Sequence, residues 1–167
     1  MTRPTDAAAD NASALITADP HVPIIHLSRE FVATPEQLLR AHTVPSIFAA
    51  WIGPAHRSFT IDYWDARTGG SWRYTSGEGA QFAAFHGCFH EISPTRLVQT
   101  FTWEGMPESV SLETMTFEDL GDGRTMLRAQ SLVDSFTARD AWLASGMPVG
   151  VNEGYLKLEE LIANGTL

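Results

Sequence analysis

The sequence has a single cysteine, Cys88, among its 167 residues. A disulfide bond within the chain is therefore excluded, and a reducing compartment, the cytoplasm, is the expected location. Free cysteines behave mostly as small apolar residues, so Cys88 is predicted to be a buried packing residue rather than a reactive thiol.

Basic residues and long apolar runs are also scarce. Eleven Lys and Arg face twenty Asp and Glu, which gives a net charge of −9, and the basic residues are scattered. Nucleic-acid binding needs a clustered basic surface, so no nucleic-acid partner is predicted. No apolar run approaches the roughly 20 residues that cross a bilayer, so membrane insertion is not predicted either.

The length predicts one domain with a substantial core. Residues 1–22 are rich in Ala, Asp, Asn and Thr and lack the pattern of a secretory signal. They are predicted to be a flexible leader, and residues 23–165 are predicted to form the domain.

The first half of that domain combines one strand, two short helices and the start of a meander. The strand covers Ile24 to Val32, and Thr34-Pro35 predicts an N-cap and first turn for the helix that follows. A second short helix is predicted from Ser46 to Trp51, ending at Gly53-Pro54. Six strands then follow, at Ser58–Asp65, Ser71–Ser76, Gln81–Ile92, Arg96–Trp103, Val110–Glu118 and Arg124–Leu132.

The C-terminal segment returns to helical spacing, with a first piece from Thr137 to Ser145 and a main helix from Pro148 to Ala163. Its glycines, Gly150 and Gly154, fit either close packing or space left for a ligand. The pattern predicts an α+β fold, in which a curved antiparallel sheet of about seven strands wraps around this long helix. Such an arrangement can leave an internal cavity.

Three segments carry a resemblance to a known family: Trp51-Ile52-Gly53-Pro54, Asp65 through Arg73, and Gly87 through Ile92. With the element order, they resemble the START-like (SRPBCC) superfamily. Within it, the chain is similar to bacterial single-domain homologues of the C-terminal domain of the activator of the heat-shock protein 90 ATPase. The resemblance implies the helix-grip fold with a ligand-holding cavity.

Function follows less directly, because this fold serves carriers, cyclases and co-chaperone domains. The favoured hypothesis is a binding or carrier protein for a small hydrophobic or aromatic molecule, rather than an enzyme. One alternative is a cyclase, aromatase or hydrolase acting on a polyketide-like substrate. The other is a protein-interaction module of the co-chaperone kind, and a homodimer is compatible with all three.

Glu113 and His86 are the candidate acid–base residues. Alternation places Glu113 on the same strand face as Met115 and Phe117, whereas Val110 and Leu112 define the opposite face. Which of the two faces points inward stays open at this stage. His86 is a second candidate base, although an ordinary sheet histidine is the more frequent case.

No cofactor is predicted. His86 and His90 lie about 13 Å apart on a strand, too far to share a metal ion, so no metal site is predicted. The residues predicted to line the ligand cavity are Trp51, Tyr63, Trp72, Phe101, Glu113, Met115, Phe117, Met147, Val151 and Tyr155.

Overall fold

A single eight-stranded antiparallel sheet forms the body of the molecule. The computed structural model describes residues 13–52 and 57–167. The strands are β1 (Leu15–Ala18), β2 (Ile24–Phe31), β3 (Phe59–Trp64), β4 (Ser71–Ser76), β5 (Ala83–Ser93), β6 (Arg96–Trp103), β7 (Val110–Gly121) and β8 (Arg124–Leu132). Their order across the sheet is β1-β2-β8-β7-β6-β5-β4-β3, so β2 joins the start of the domain to the last strand.

In the described part of the chain, four α-helices cover the concave face of this sheet. They are α1 (Pro35–Thr43), α2 (Pro45–Ile52), α3 (Phe136–Ala144) and α4 (Met147–Ala163). α2 packs on α4, and the buried core lies between these helices and the sheet. The predicted α+β helix-grip architecture is thus confirmed, with its long C-terminal helix and two short helices.

The start of α1 is set by local chemistry. Thr34 accepts a hydrogen bond from the Gln37 amide, and the Gln37 side chain accepts one from the Thr34 amide. Pro35 occupies the first turn, where a missing amide hydrogen is harmless. The predicted helix start at Thr34-Pro35 is therefore confirmed, whereas the predicted stop at Gly53-Pro54 lies outside the described residues.

The strand count differs from the expectation of about seven. Leu15–Ala18, inside the segment predicted as a flexible leader, forms β1 and pairs with β2 at the sheet edge. The Ala14 amide also donates to Asn152 Oδ1 of α4 at 2.8 Å. Composition indicated flexibility here, but the open edge of β2 supplies backbone partners for this short apolar stretch.

The turn between β3 and β4 fixes one end of the sheet. Gly69 has φ +86°, and a Cβ on Gly70 would lie 1.9 Å from the Asp65 carbonyl oxygen. The Arg67 guanidinium donates to both Asp65 carboxylate oxygens at 2.9–3.0 Å. These residues hold the hairpin geometry, as their sequence pattern predicts.

Candidate ligand cavity

A cavity of about 440 Å³ lies between the concave face of the sheet and helices α2, α3 and α4. Its size falls within the range of small-molecule sites. Its wall includes ten aromatic side chains: Phe48, Trp51, Phe59, Trp64, Trp72, Tyr74, Phe85, Phe101, Trp142 and Tyr155. The cavity is therefore mainly apolar and aromatic.

Hydrogen bonds hold three of the tryptophans in place. The indole N–H of Trp51 donates to the Ala41 carbonyl at 2.9 Å, and that of Trp64 donates to the Thr43 carbonyl at 2.7 Å. Trp72 donates to Gln99 Oε1 at 3.1 Å. Because each polar tip already has a protein partner, these rings offer the cavity only their apolar surface.

Glu113 lies in a row of side chains that crosses the concave face of the sheet. It is paired with Gln99 on β6 and with Ser131 on β8, and Ser131 is paired with Ile25 on β2. All four residues line the cavity. The inward orientation of the Glu113 face, left open by the sequence, is thus the one that the fold adopts.

Two serine hydroxyls hold the Glu113 carboxyl group. Ser111 Oγ lies 2.6 Å from Oε1, and Ser131 Oγ lies 2.5 Å from Oε2. Burial raises the pKa of Glu113 above its ordinary value of 4.5, and the two serine hydrogen bonds oppose that rise. Part of the side chain stays accessible because it faces the cavity, while protein surrounds it on the other sides.

Tyr74 and Tyr155 add two phenol groups near this carboxyl. Both are buried, and burial together with the negative charge of Glu113 raises the pKa of each, although the Arg29 charge lowers that of Tyr155. Neither hydroxyl has a hydrogen-bond partner among the described residues. Both phenols therefore stay neutral across the physiological range.

His42 contributes a further polar group to the wall. It is 5 % exposed, its Nδ1 lies 2.7 Å from the Leu38 carbonyl oxygen, and its Nε2 has no partner in the described part of the chain. Burial lowers the pKa of His42 to about 4. A carbonyl can only accept, so Nδ1 carries the proton and Nε2 is left as a free acceptor.

Eight of the ten predicted lining residues do line the cavity: Trp51, Trp72, Phe101, Glu113, Met115, Met147, Val151 and Tyr155. Tyr63 does not, because a β-bulge between Ile61 and Tyr63 turns it outward, where it is 48 % exposed. Trp64 points inward instead. Phe117 is fully buried in the core beside His42, beyond the cavity wall.

His86 lies on the outer face of the sheet, so the expectation that it could act in the cavity is wrong. Its Nδ1 is 3.1 Å from Glu104 Oε1, and Arg73 makes two hydrogen bonds of 2.8 and 2.9 Å to the same carboxylate. Arg73 also pairs with Asp62. The Arg73 hydrogen bonds hold the pKa of Glu104 below its ordinary value, which makes this a surface ion-pair network.

Cys88 belongs to the same outer face. It is exposed, so its predicted role as a buried packing residue is wrong. The reason is strand parity: Gly87 and Phe89 take the inward positions on β5, which leaves position 88 outside. Within residues 13–52 and 57–167, no three metal-binding side chains come together.

Sequence reasoning missed His42, Tyr74 and Ser131 as site residues. His42 follows Leu38 by one helical turn, a spacing that was available but is common among buried residues. Tyr74 shares a strand face with Trp72, which was predicted. Ser131 depends on the register between β7 and β8, which the sequence does not state.

Comparison with known proteins agrees with the architecture. The family model for Activator of Hsp90 ATPase homolog 1-like protein matches residues 32–163. No curated protein matches the chain. No helix in the described ranges is long and apolar enough to cross a membrane.

Several solved structures share the fold. One from Rhodobacter sphaeroides is 26 % identical, covering 90 % of this chain and 98 % of that one, with a TM-score of 0.80. One from Mycobacterium smegmatis is 20 % identical, covering 89 % and 96 %, with a TM-score of 0.78. DynU16, a protein in the dynemicin biosynthetic locus, is 17 % identical, covering 86 % and 48 %, with a TM-score of 0.65. The chain belongs to the Activator of Hsp90 ATPase homolog 1-like family.

Proposed function

We propose that this protein binds a small, mainly apolar molecule, with Glu113 contacting a polar group of that ligand. The observation that carries the proposal is the aromatic cavity of about 440 Å³ with the Glu113 carboxyl group on its wall. A solvent-filled apolar space is costly to maintain, and an apolar ligand would remove that cost. The cytoplasm is the proposed compartment, where Cys88 would remain reduced.

The polar groups support binding in a defined orientation. Glu113 is fixed by Ser111 and Ser131, so its position in the cavity does not depend on the ligand. The unpartnered groups of Tyr74, Tyr155 and His42 give a ligand further hydrogen-bond partners. Preorganised polar groups in an apolar pocket raise selectivity while losing little entropy on binding.

Native mass spectrometry of protein purified under non-denaturing conditions tests the proposal, followed by extraction and identification of bound molecules. A hydrophobic passenger at one per chain is the expected result. The proposal is wrong if the purified protein is empty and no compound in a broad hydrophobic library raises its melting temperature.

Two variants on α4 sharpen this test. Val151→Trp places a large side chain at the cavity wall, whereas Leu156→Trp adds the same ring at a position that is 47 % exposed. We expect the first variant to lose most of the bound ligand and the second to keep it. Equal retention in both folded variants would locate the ligand elsewhere.

A second candidate is an enzyme, a cyclase, aromatase or hydrolase, in which Glu113 acts as a general acid. The raised pKa of Glu113 inside the cavity favours this candidate, since such a carboxyl keeps a proton to higher pH. If extracted ligands are converted to products, Glu113→Gln must abolish conversion even at ligand concentrations that saturate the variant. A third reading, an interaction module, would favour a filled cavity and gains no support from an open one.

A further inference from the structure

Several hydrogen-bond donors of the cavity wall already have protein partners. The indole N–H groups of Trp51, Trp64 and Trp72 and the Nδ1–H of His42 all donate to protein oxygens. Within the described ranges, the amide N–H groups of Gln99 and the indole of Trp142 are the neutral donors left over besides hydroxyls. These donors are neutral, and the buried part of the described wall has no Lys or Arg to pair with an anionic ligand.

Other polar atoms at the cavity wall have no partner and can accept a hydrogen bond. His42 Nε2 and Ser76 Oγ have no partner among the described residues, and both side chains are more than nine-tenths buried at the cavity wall. The hydroxyl oxygens of Tyr74 and Tyr155 can also accept, as can the Glu113 oxygens. These groups suit a ligand that brings several N–H donors.

The distribution of charged side chains also favours a ligand with N–H donors. In the described part of the chain, Glu113 is a buried carboxyl with no basic side chain paired to it. Arg57 is the one Lys or Arg side chain on the described wall, and it is exposed. Arg73, Arg128 and Arg139 pair with surface carboxylates instead. The positive charge that would balance Glu113 is therefore not supplied by these residues.

We propose that the ligand is an amine, whose protonated nitrogen pairs with Glu113 while its apolar body fills the aromatic cavity. This inference rests on the proposed ligand-binding function and narrows it to one chemical class. The ammonium group donates to the Glu113 carboxylate and to neighbouring acceptors, and the aromatic wall surrounds the rest of the molecule.

Physical chemistry favours this class over neutral and anionic ones. A buried carboxylate without a counter-charge is strongly disfavoured, so a ligand cation that pairs with it removes a desolvation cost. A cation over an aromatic face is attracted by the electron-rich ring, and this attraction is stronger when water is excluded. An anionic ligand would meet the carboxyl of Glu113 and no Lys or Arg on the buried part of the described wall.

The same pairing makes binding depend on pH. The ionisable groups facing the cavity are Glu113 on β7, Tyr74 on β4, Tyr155 and Glu153 on α4, His42 on α1 and Arg57 before β3. The tyrosines stay neutral, and Arg57 and Glu153 are exposed. Amine binding requires ionised Glu113 and neutral His42, so affinity rises with pH and binding releases a proton.

Matched amine–alcohol pairs test the inference on the full chain. Three pairs of increasing size are 2-phenylethylamine with 2-phenylethanol, tryptamine with tryptophol, and 2-(1-naphthyl)ethylamine with 2-(1-naphthyl)ethanol. Isothermal titration at pH 5.5 and pH 8 gives their affinities, and buffers of different ionisation enthalpy give the proton release. We expect at least one amine to bind tenfold or more tightly than its alcohol at pH 8.

Glu113→Gln is the deciding variant, because an amide can still bond to Ser111 and Ser131 but carries no charge. We expect the amine preference to fall to about one and the proton release to vanish, while alcohol binding persists. Alcohols binding as well as amines, or an amine preference unchanged in Glu113→Gln, would overturn the inference and leave the binding function standing. Failure of all six compounds to bind would count against both.

Discussion

Gly154 of α4 lies directly against Trp51 of α2. A Cβ at position 154 would lie 3.3 Å from the Trp51 carbonyl oxygen and 3.4 Å from its ring atom Cε3. The contact lets the two helices approach closely and places the Trp51 ring beside the cavity. Close packing against Trp51 is therefore one reason for glycine at this position, which also lines the cavity.

Replacing Gly154 by Leu should destabilise the protein. The added atoms must displace either the Trp51 backbone or its ring, and overpacking of this kind costs about 1–3 kcal/mol. Chemical denaturation of the wild type and the variant measures this cost as a change in the free energy of unfolding. An unchanged denaturation midpoint would show that α2 and α4 can move apart to accommodate the larger side chain without loss of stability.

Gly150 provides the matched control on the same helix. A Cβ at this position meets no heavy atom within 4 Å, and the residue lines the cavity. Gly150→Ala should therefore stabilise the fold by about 0.5–1 kcal/mol through helix propensity alone. Destabilisation by Ala at this site would contradict the open space beside it.

The element order was predictable from the sequence because strand alternation and helix capping are local signals. The pairing partner of Glu113 was not. The β7–β8 hairpin pairs Gly121 with Arg124 at its turn, and an unbroken ladder would place Leu132 opposite Glu113. A bulge between Asp119 and Gly121 shifts the register by one residue and brings Ser131 there instead.

The same physics explains the error at Tyr63. Strict alternation from Phe59 through Ile61 assigns Tyr63 to the inner face, but the bulge after Ile61 reverses the parity and brings Trp64 inward. A bulge has no dependable signature in a single sequence. Residues that depend on register are thus the ones sequence reasoning misses, whereas Trp51 and Tyr155 follow from helical periodicity.

Glu113 should make the unliganded protein less stable as pH rises. The folded state holds the Glu113 proton more tightly than the unfolded chain does, since burial raises the pKa. The loss of stability begins near pH 4.5 and is complete once pH exceeds the raised value. Urea denaturation at several pH values should show this trend in the wild type and lack it in Glu113→Gln.

The matched control for that experiment is Glu104→Gln on the outer face, where the Arg73 pairing lowers the pKa. A carboxyl group with a lowered pKa contributes stability that is lost as pH falls, whereas the contribution of Glu113 is lost as pH rises. If Glu113→Gln and Glu104→Gln change the pH profile in the same direction, the inference that burial raises the pKa of Glu113 is wrong.

His42 should dominate the acid side of the profile. Its folded pKa of about 4 lies below the ordinary value of 6.5, so the contribution is complete above pH 6.5 and is lost as pH falls toward 4. For a fully buried group, the difference between these two pKa values corresponds to about 3 kcal/mol of folding stability. We expect His42→Leu to reduce the fall in the free energy of unfolding at acid pH. The exposed His90→Leu variant should show the same fall as the wild type. If the free energy of unfolding of His42→Leu falls as steeply with decreasing pH as that of the wild type, other groups cause the acid unfolding.

Arg29 of β2 and Glu159 of α4 form an ion pair in which the arginine is buried and the carboxylate is partly exposed. The Arg29 side chain is fully buried, its Nη2 lies 2.6 Å from Glu159 Oε1 outside hydrogen-bond angles, and the Glu159 side chain is 41 % exposed. The guanidinium also lies 5.2 Å from the Phe31 ring and 5.6 Å from that of Tyr155. Removing the acid leaves a buried cation, while removing the arginine leaves a carboxylate that water can solvate.

Glu159→Gln should therefore cost more than Arg29→Met. Loss of one partner from a buried pair costs about 3–5 kcal/mol, and the exposure of Glu159 reduces the expected cost to about 2 kcal/mol. Met can fill the space of Arg29 between the two rings, so Arg29→Met should stay within about 1 kcal/mol of the wild type. The double variant should then match Arg29→Met, because Glu159 has no buried charge left to neutralise. A larger loss in Arg29→Met than in Glu159→Gln would mean that the guanidinium stabilises the fold mainly through its ring contacts rather than through the carboxylate.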